Sequence, residues 1–182
     1  MNIFNEKLCY VIIDTQNYLL ARCALEHSQS QFELSKVWIF SDDEKMWPGY
    51  EIAKIPKINS LSDYNHFVLS ELHKYIETEF CLIIQYDGFV IDGSMFAKLF
   101  LEYDYIGAVW PHYEQYNVGC GGMSLRSKKL LSATTKFTEN LADFKTPEDL
   151  IICRYHRTLL EQEFQIRFAP PAVANHFSEE MM

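Results

Sequence analysis

Apolar residues in this chain gather in short unbroken runs, separated by stretches in which they recur every three or four positions. Leu8 to Asp14 (LCYVIID) is a continuous apolar run ending in an acid, which predicts a buried strand delivering a polar group at its C-terminal end. Tyr18, Ala21, Ala24 and Leu25 follow at roughly helical spacing, and Lys36 to Phe40 (KVWIF) predicts a second strand ending at Ser41-Asp42-Asp43. Glu51 to Ile55 predicts a third strand. Ser60-x-x-Asp63 is a capping-box pattern ahead of Leu61, Tyr64, Val68, Leu72 and Tyr75, which share one helical face. Phe80 to Gln85 (FCLIIQ) predicts a buried strand running into Tyr86-Asp87-Gly88, and Tyr105 to Val109 predicts another, closed by Trp110-Pro111. A glycine-rich segment from Val118 to Met123 precedes a short helix expected over Arg126 to Leu131. Thr146-Pro147-Glu148-Asp149 reads as a helix start with Thr146 at the N-cap, and Ile151, Ile152, Tyr155, Leu159 and Leu160 supply the expected buried face. Gln165 to Ala169 is expected as the last strand, stopped by Pro170-Pro171.

Strands that alternate with helices imply an α/β fold with a mostly parallel sheet covered on both sides, whose ligands bind beyond the carboxyl ends of the strands. Asp14, Asp42, Asp43 and Asp87 all follow predicted strands there, so they are expected to converge on one crevice. The chain has 182 residues, 48% of them hydrophobic, with no internal repeat or linker, and one domain over residues 1–182 is expected.

Charge narrows the partners. A formal net charge of -9, with no block of Lys and Arg to offset it, argues against nucleic acid. A nucleotide-sugar is also anionic, yet one divalent cation and a few backbone N–H groups can hold it on a negative surface. The aromatic share of 15% fits a well-filled core or an aromatic-lined cleft. Cys9, Cys23, Cys81, Cys120 and Cys153 are odd in number, widely spaced and without a C-x-x-C pair, which suits neither a disulfide framework nor a zinc site. They are expected as free thiols in a cytoplasmic protein. The first apolar run is too short for a membrane span, although peripheral membrane contact is compatible with the sequence.

Three features can carry chemistry, and each has a plainer reading. Gln85-Tyr86-Asp87-Gly88 places a carboxylate at the end of a buried strand, where it can reach a metal held by substrate phosphates or simply form an Asp-Gly turn. Gly119-Cys120-Gly121-Gly122 lets backbone N–H groups approach a ligand closely, but it also suits a flexible turn, and it lacks the Lys-Ser/Thr of a P-loop. Glu148 and Asp149 are candidates for a general base, while both also complement a helix dipole and Asp149 fits the capping box. His176 is isolated near the C-terminus.

Taken in order, IIQYDGFVID, YDYIGAVWP, VGCGGMSLRSKKLL, PEDLIICRYHR and IRFAPPAVANHFSEE resemble a bacterial family of GT-A-like glycosyltransferases, long catalogued as a domain of unknown function. The resemblance runs from about Leu8 to Glu180, and its most specific element is the G-G-x-S-L-R-S block followed by E-D. It implies a GT-A-like, Rossmann-related single domain, a mixed and mostly parallel sheet flanked by helices. It further implies that Asp87 is the last acid of a motif holding Mn²⁺ or Mg²⁺ on the donor diphosphate, with His176 completing the shell. Gln85 and Tyr86 belong to that motif, Gln85 standing where the family pattern has an acid. Gly121 and Gly122 map beside the donor sugar, Cys120 stands where Asn is expected, and Glu148 and Asp149 map to the acceptor or base. Asp14, Thr15, Asp42 and Asp43 resemble the nucleoside pocket.

The expected function is transfer of a sugar from a nucleoside diphosphate donor to a glycan or lipid-linked acceptor, with inversion, in bacterial surface polysaccharide assembly. The competing expectation is a catalytically silent nucleotide-sugar or glycan-binding accessory module, favoured by Gln85, Cys120 and the short chain. A nucleotidyltransferase ranks last, because no basic glycine-rich loop lies near the N-terminus.

Overall fold

The computed structural model describes residues 4–138 and 144–179. Its centre is a six-stranded sheet in the order β3-β2-β1-β4-β6-β5. The strands are β1 (Leu8–Ile13), β2 (Val37–Ser41), β3 (Ala53–Lys54), β4 (Phe80–Ile84), β5 (Tyr105–Ile106) and β6 (Ser124–Ser127). β1, β2, β3 and β4 run parallel, while β6 pairs antiparallel with both β4 and β5. Every residue of β1 and β4 is buried, which is why each reads as an unbroken apolar run. The mixed, mostly parallel α/β fold expected from the sequence is the one observed.

Helices cover the sheet on both faces. After the short α1 (Phe4–Lys7), α2 (Tyr18–Gln31) buries Ala21, Ala24, Leu25 and Ser28 against one cluster that includes Tyr10, Ile12 and Leu82. The other face of β1 and β4 packs Val11 and Ile83 against Phe67, Val68 and Leu72. Those three residues belong to a helix that opens as α3 (Leu61–His66), widens to a π-helical turn over Phe67–Glu71 and tightens to a 3-10 turn over Leu72–Lys74. Ser60 caps it as the pattern predicted, its hydroxyl accepting from the Asp63 N–H at 3.1 Å. Leu61, expected on the buried face, is 47% exposed, because it sits at the first turn beyond the edge of the sheet packing.

Four expectations are corrected toward the C-terminus. Ser124–Ser127 is a strand rather than the start of a helix, and α4 (Lys128–Thr138) begins only after it. Residues 165–169 form no strand, making only an isolated bridge between Phe168 and Tyr105, because Gln165 has a left-handed φ of 53°. Asp104 ties this segment down instead, accepting from the Arg167 N–H at 2.8 Å. Tyr155 is 72% exposed rather than buried. The helix that opens as α5 (Glu148–Leu150) becomes π-helical over Ile151–Tyr155, and the wider turn carries Cys153 into the core and Tyr155 outward before α6 (Arg157–Glu163). Finally, Thr146 does not cap this helix: Pro147 holds the N-cap position and offers no side-chain bond. A last short helix, α7 (Pro171–Ala174), precedes His176. Among the described residues, no helix is long and apolar enough to cross a membrane.

Candidate functional site

A cleft of about 820 Å³ opens beside the carboxyl end of β4. Gln85, Asp87, Gly121 and Gly122 line it, and so do Glu148, Asp149 and His176. The structure therefore brings the three sequence features and the C-terminal histidine to one place. Asp14, Thr15, Asp42, Asp43 and Tyr86 lie outside its lining.

The strand-end turn is tight. Gln85 and Gly88 exchange two backbone hydrogen bonds, of 2.8 and 3.2 Å, which leaves Tyr86 and Asp87 at the exposed tip. A Cβ on Gly88 would lie 2.7 Å from the Gly122 carbonyl, so the turn is pressed against the glycine segment. Cys120, with φ 58°, is the residue of that segment in the left-handed region. Gly119 is held to glycine by the Trp110 ring and Gly121 by the Glu148 carboxylate, each of which would collide with an added Cβ.

The two acids of the helix start have different surroundings. Glu148 is 4% exposed, and both its carboxylate oxygens accept from the Arg126 guanidinium at 2.8 Å. Arg126 is fully buried, and its Nε–H is taken up by the Ser124 hydroxyl at 3.0 Å. Burial pushes the Glu148 carboxyl up and the guanidinium opposes that shift. Burial alone would lower Arg126, but the Glu148 carboxylate more than reverses it and keeps the cation well above its ordinary range. Asp149 is half-buried at the cleft wall, its Oδ2 accepting from the Gly121 N–H at 2.9 Å.

Asn65, buried on α3, takes the place of the missing cap. Its carboxamide oxygen accepts from the Glu148 N–H at 3.1 Å, and its nitrogen donates to the carbonyls of Phe144 at 2.5 Å and Thr146 at 2.7 Å. Asn65 and Arg126 are the residues that sequence reasoning missed. A cation within S-L-R-S was a signal for Arg126, since a buried guanidinium requires a buried anion. Tyr64, one residue before Asn65, also lines the cleft and accepts from Gln85 Nε2 at 3.0 Å.

At the ends of β1 and β2, the polar residues are occupied by local structure. Asp14 Oδ1 accepts from the N–H groups of Gln16 and Asn17, at 2.8 and 2.6 Å. Thr15 is 2% exposed, and its hydroxyl both donates to the Ile58 carbonyl and accepts from the Ile58 N–H. Asp42 accepts from the Tyr18 hydroxyl at 2.8 Å, and Asp43 caps a short 3-10 turn through the Lys45 N–H.

Among the described residues, no group of three or more His, Cys, Asp or Glu side chains is placed to hold a metal ion. Asp87 and His176 thus offer one carboxylate and one imidazole. Such a set fits an ion that draws most of its oxygen ligands from phosphate and water, and does not fit a resident all-protein site.

The fold is shared with known transferases. A mannosyltransferase from Pyrobaculum calidifontis, determined in complex with GDP-Man and Mn²⁺, superposes with a TM-score of 0.57 at 12% identity, over 94% of this chain and 56% of that one. A glycosyltransferase involved in glycosylating the major capsid of PBCV-1 gives 0.56 at 12% identity, over 90% and 80%. The glycosyltransferase GlyE of Streptococcus pneumoniae gives 0.50 at 14% identity, over 90% of this chain and 45% of its own. This chain thus spans about half the length of the mannosyltransferase and of GlyE, and at these identities the likeness concerns the fold alone. No curated protein matches by sequence. The motifs from IIQYDGFVID onward all fall within residues 49–182, which match the family described as "Protein of unknown function (DUF5672)", and the chain belongs to that family.

Proposed function

We propose that this chain is a glycosyltransferase that moves a sugar from a nucleoside diphosphate donor to a hydroxyl of a glycan or lipid-linked acceptor, in bacterial surface polysaccharide assembly. The observation that carries this reading is the Asp149 carboxylate, half-buried in the cleft and fixed by the Gly121 N–H at 2.9 Å. A general base needs an oxygen that a substrate proton can reach. Asp149 meets that need at the cleft wall, since its two oxygens accept only one backbone N–H each, from Leu150 and Gly121. Both oxygens of the buried Glu148 are instead tied to the Arg126 guanidinium, so Glu148 keeps Arg126 and the glycine segment in place.

In the proposed reaction the acceptor oxygen attacks the anomeric carbon and the bond from that carbon to the diphosphate breaks. Asp149 takes the hydroxyl proton and the nucleoside diphosphate leaves, with inversion at the anomeric carbon. Asp87 and His176 are the residues that would hold Mn²⁺ or Mg²⁺ together with phosphate oxygens, and such an ion supplies positive charge to the departing diphosphate. The nucleoside extends toward the ends of β1 and β2. There Asp42 and Asp43 face it, while Asp14 and Thr15 act through the backbone they fix.

Gln85, a neutral residue in the position of a metal-binding acid, favours a second reading, a silent nucleotide-sugar-binding module. Thermal-shift titration with nucleoside diphosphates and their sugars, with and without Mn²⁺, tests binding by mass action. Asp87→Ala is expected to remove the Mn²⁺-dependent part of the shift. Asp149→Asn is expected to bind donor and to lose transfer and donor hydrolysis by about 10²-fold or more. Wild-type protein that binds a nucleotide-sugar but neither transfers nor hydrolyses it establishes the silent module.

A further inference from the structure

Two neutral side chains stand together where the cleft meets the end of β4. Gln85 Nε2 donates to the Tyr64 hydroxyl oxygen at 3.0 Å, and both residues line the cleft. Since Tyr64 accepts in this bond, its own O–H proton remains available, and among the described residues no acceptor takes it. The same bond turns the Gln85 carboxamide so that Oε1 faces Gly122, lying 3.5 Å from where a Cβ on that glycine would be. Among the described residues Oε1 accepts no hydrogen bond. An O–H donor and a C=O acceptor are thus presented side by side, tied to each other and otherwise unused.

The phenol is no proton-transfer group. Burial pushes the Tyr64 hydroxyl well above its ordinary range, and the nearby Glu148 carboxylate adds to the shift, so it stays protonated and can only lend a hydrogen bond. A metal ion gains little from a single amide oxygen beside a phenol. A ligand hydroxyl has both a proton to give and lone pairs to receive with, and so meets both partners.

We propose that Tyr64 and Gln85 form a hydroxyl-reading pair that recognises the uncharged sugar portion of the ligand rather than its phosphates. Tyr64 donates to one sugar oxygen and Gln85 Oε1 accepts from the same or the adjacent hydroxyl. Gly122 leaves the space in which that ring can sit. This rests on the glycosyltransferase reading for the identity of the ligand. It adds the residues that set sugar specificity and gives the departure at Gln85 a purpose.

The test compares dissociation constants by calorimetry for a panel of nucleoside diphosphate sugars, the parent nucleoside diphosphates, and free mono- and disaccharides. Tyr64→Phe keeps the ring packing and removes the donor. Gln85→Met keeps the length of the side chain and removes the carboxamide acceptor without adding a charge. Each variant is expected to weaken sugar-bearing ligands by about 5- to 10-fold while leaving the nucleoside diphosphate within about twofold, because one net hydrogen bond to the sugar is lost. Equal weakening of both ligand classes, or of neither, overturns the pair and leaves the glycosyltransferase reading standing. If wild type binds saccharides but no nucleotide, the donor reading falls, and the pair survives only if Tyr64→Phe weakens the saccharide. If wild type binds none of the three series, both are overturned.

Discussion

Glu148→Gln is the substitution that most directly tests how the cleft is built. It keeps the size of the side chain and removes its charge, leaving Arg126 fully buried with no counter-ion. Breaking a buried pair by removing one partner costs about 3–5 kcal/mol, because the remaining charge has lost its compensation. Of a total stability of about 5–15 kcal/mol, that is a large part. In a domain of this size each kcal/mol moves Tm by about 2–4 °C, so a fall of about 6–20 °C is expected. Urea unfolding followed by circular dichroism gives the free energy directly. The paired replacement Arg126→Met with Glu148→Leu should recover most of the loss, since two apolar groups of similar volume leave nothing unpaired. Arg126→Met alone adds a pH signature. Burial then raises the Glu148 carboxyl unopposed, and a raised folded-state value means stability is greatest at low pH and lost as pH rises above the ordinary range. Asp149→Asn should cost about 1–3 kcal/mol, because its one amide oxygen can accept from the Gly121 N–H or the Leu150 N–H but not from both. Costs below about 1 kcal/mol for both Glu148→Gln and Arg126→Met would refute the buried-pair account.

The glycines should separate by role. Gly121→Ala collides with the Glu148 carboxylate and should lower Tm by several degrees, whereas Gly122→Ala, with its nearest neighbour at 3.5 Å, should fold normally and weaken ligand binding in the same calorimetric assay. Thiol titration should find all five cysteines free after denaturation. In the native protein Cys23 should react first and Cys120 more slowly, with Cys9, Cys81 and Cys153 protected, since burial removes access and pushes the Cys9 thiol up to about 11. His156, stacked on Phe137 at 4.2 Å between ring centroids, is lowered from 6.5 by burial. A lowered value means stability present above 6.5 is lost as pH falls through the folded-state value, so the urea midpoint should drop on acidification and His156→Gln should flatten that drop.

The sheet was legible where burial is two-sided and apolar. β1, β2 and β4 announce themselves as runs because the parallel centre leaves no polar face to interrupt them. β6 did not, since three of its four residues, Ser124, Arg126 and Ser127, are polar and all of them are buried. Its polarity is compensated from elsewhere: Glu148 holds Arg126, and Asp104 takes the Ser127 hydroxyl proton at 2.6 Å. A periodicity argument sees only the local alternation of side chains, so it cannot tell a satisfied buried serine from an exposed one.

The same limit explains the acidic pair. Threonine, proline and two acids in succession fit a helix start, and a helix does begin there, at Glu148. What local pattern could not supply was the origin of the cap. Pro147 is extended at the N-cap, with φ -49° and ψ 137° and no side-chain bond to offer, which leaves the Glu148 N–H to an outside acceptor. Asn65 provides one from a position 83 residues earlier, and its two amide protons fasten the approach through the Phe144 and Thr146 carbonyls. With the cap supplied by α3 and the charge of Glu148 met by β6, neither duty falls on Asp149. Its carboxylate is half-buried in the cleft, where Oδ2 accepts from the Gly121 N–H and Oδ1 from the Leu150 N–H, and with no cation paired to it among the described residues it is the acid suited to chemistry.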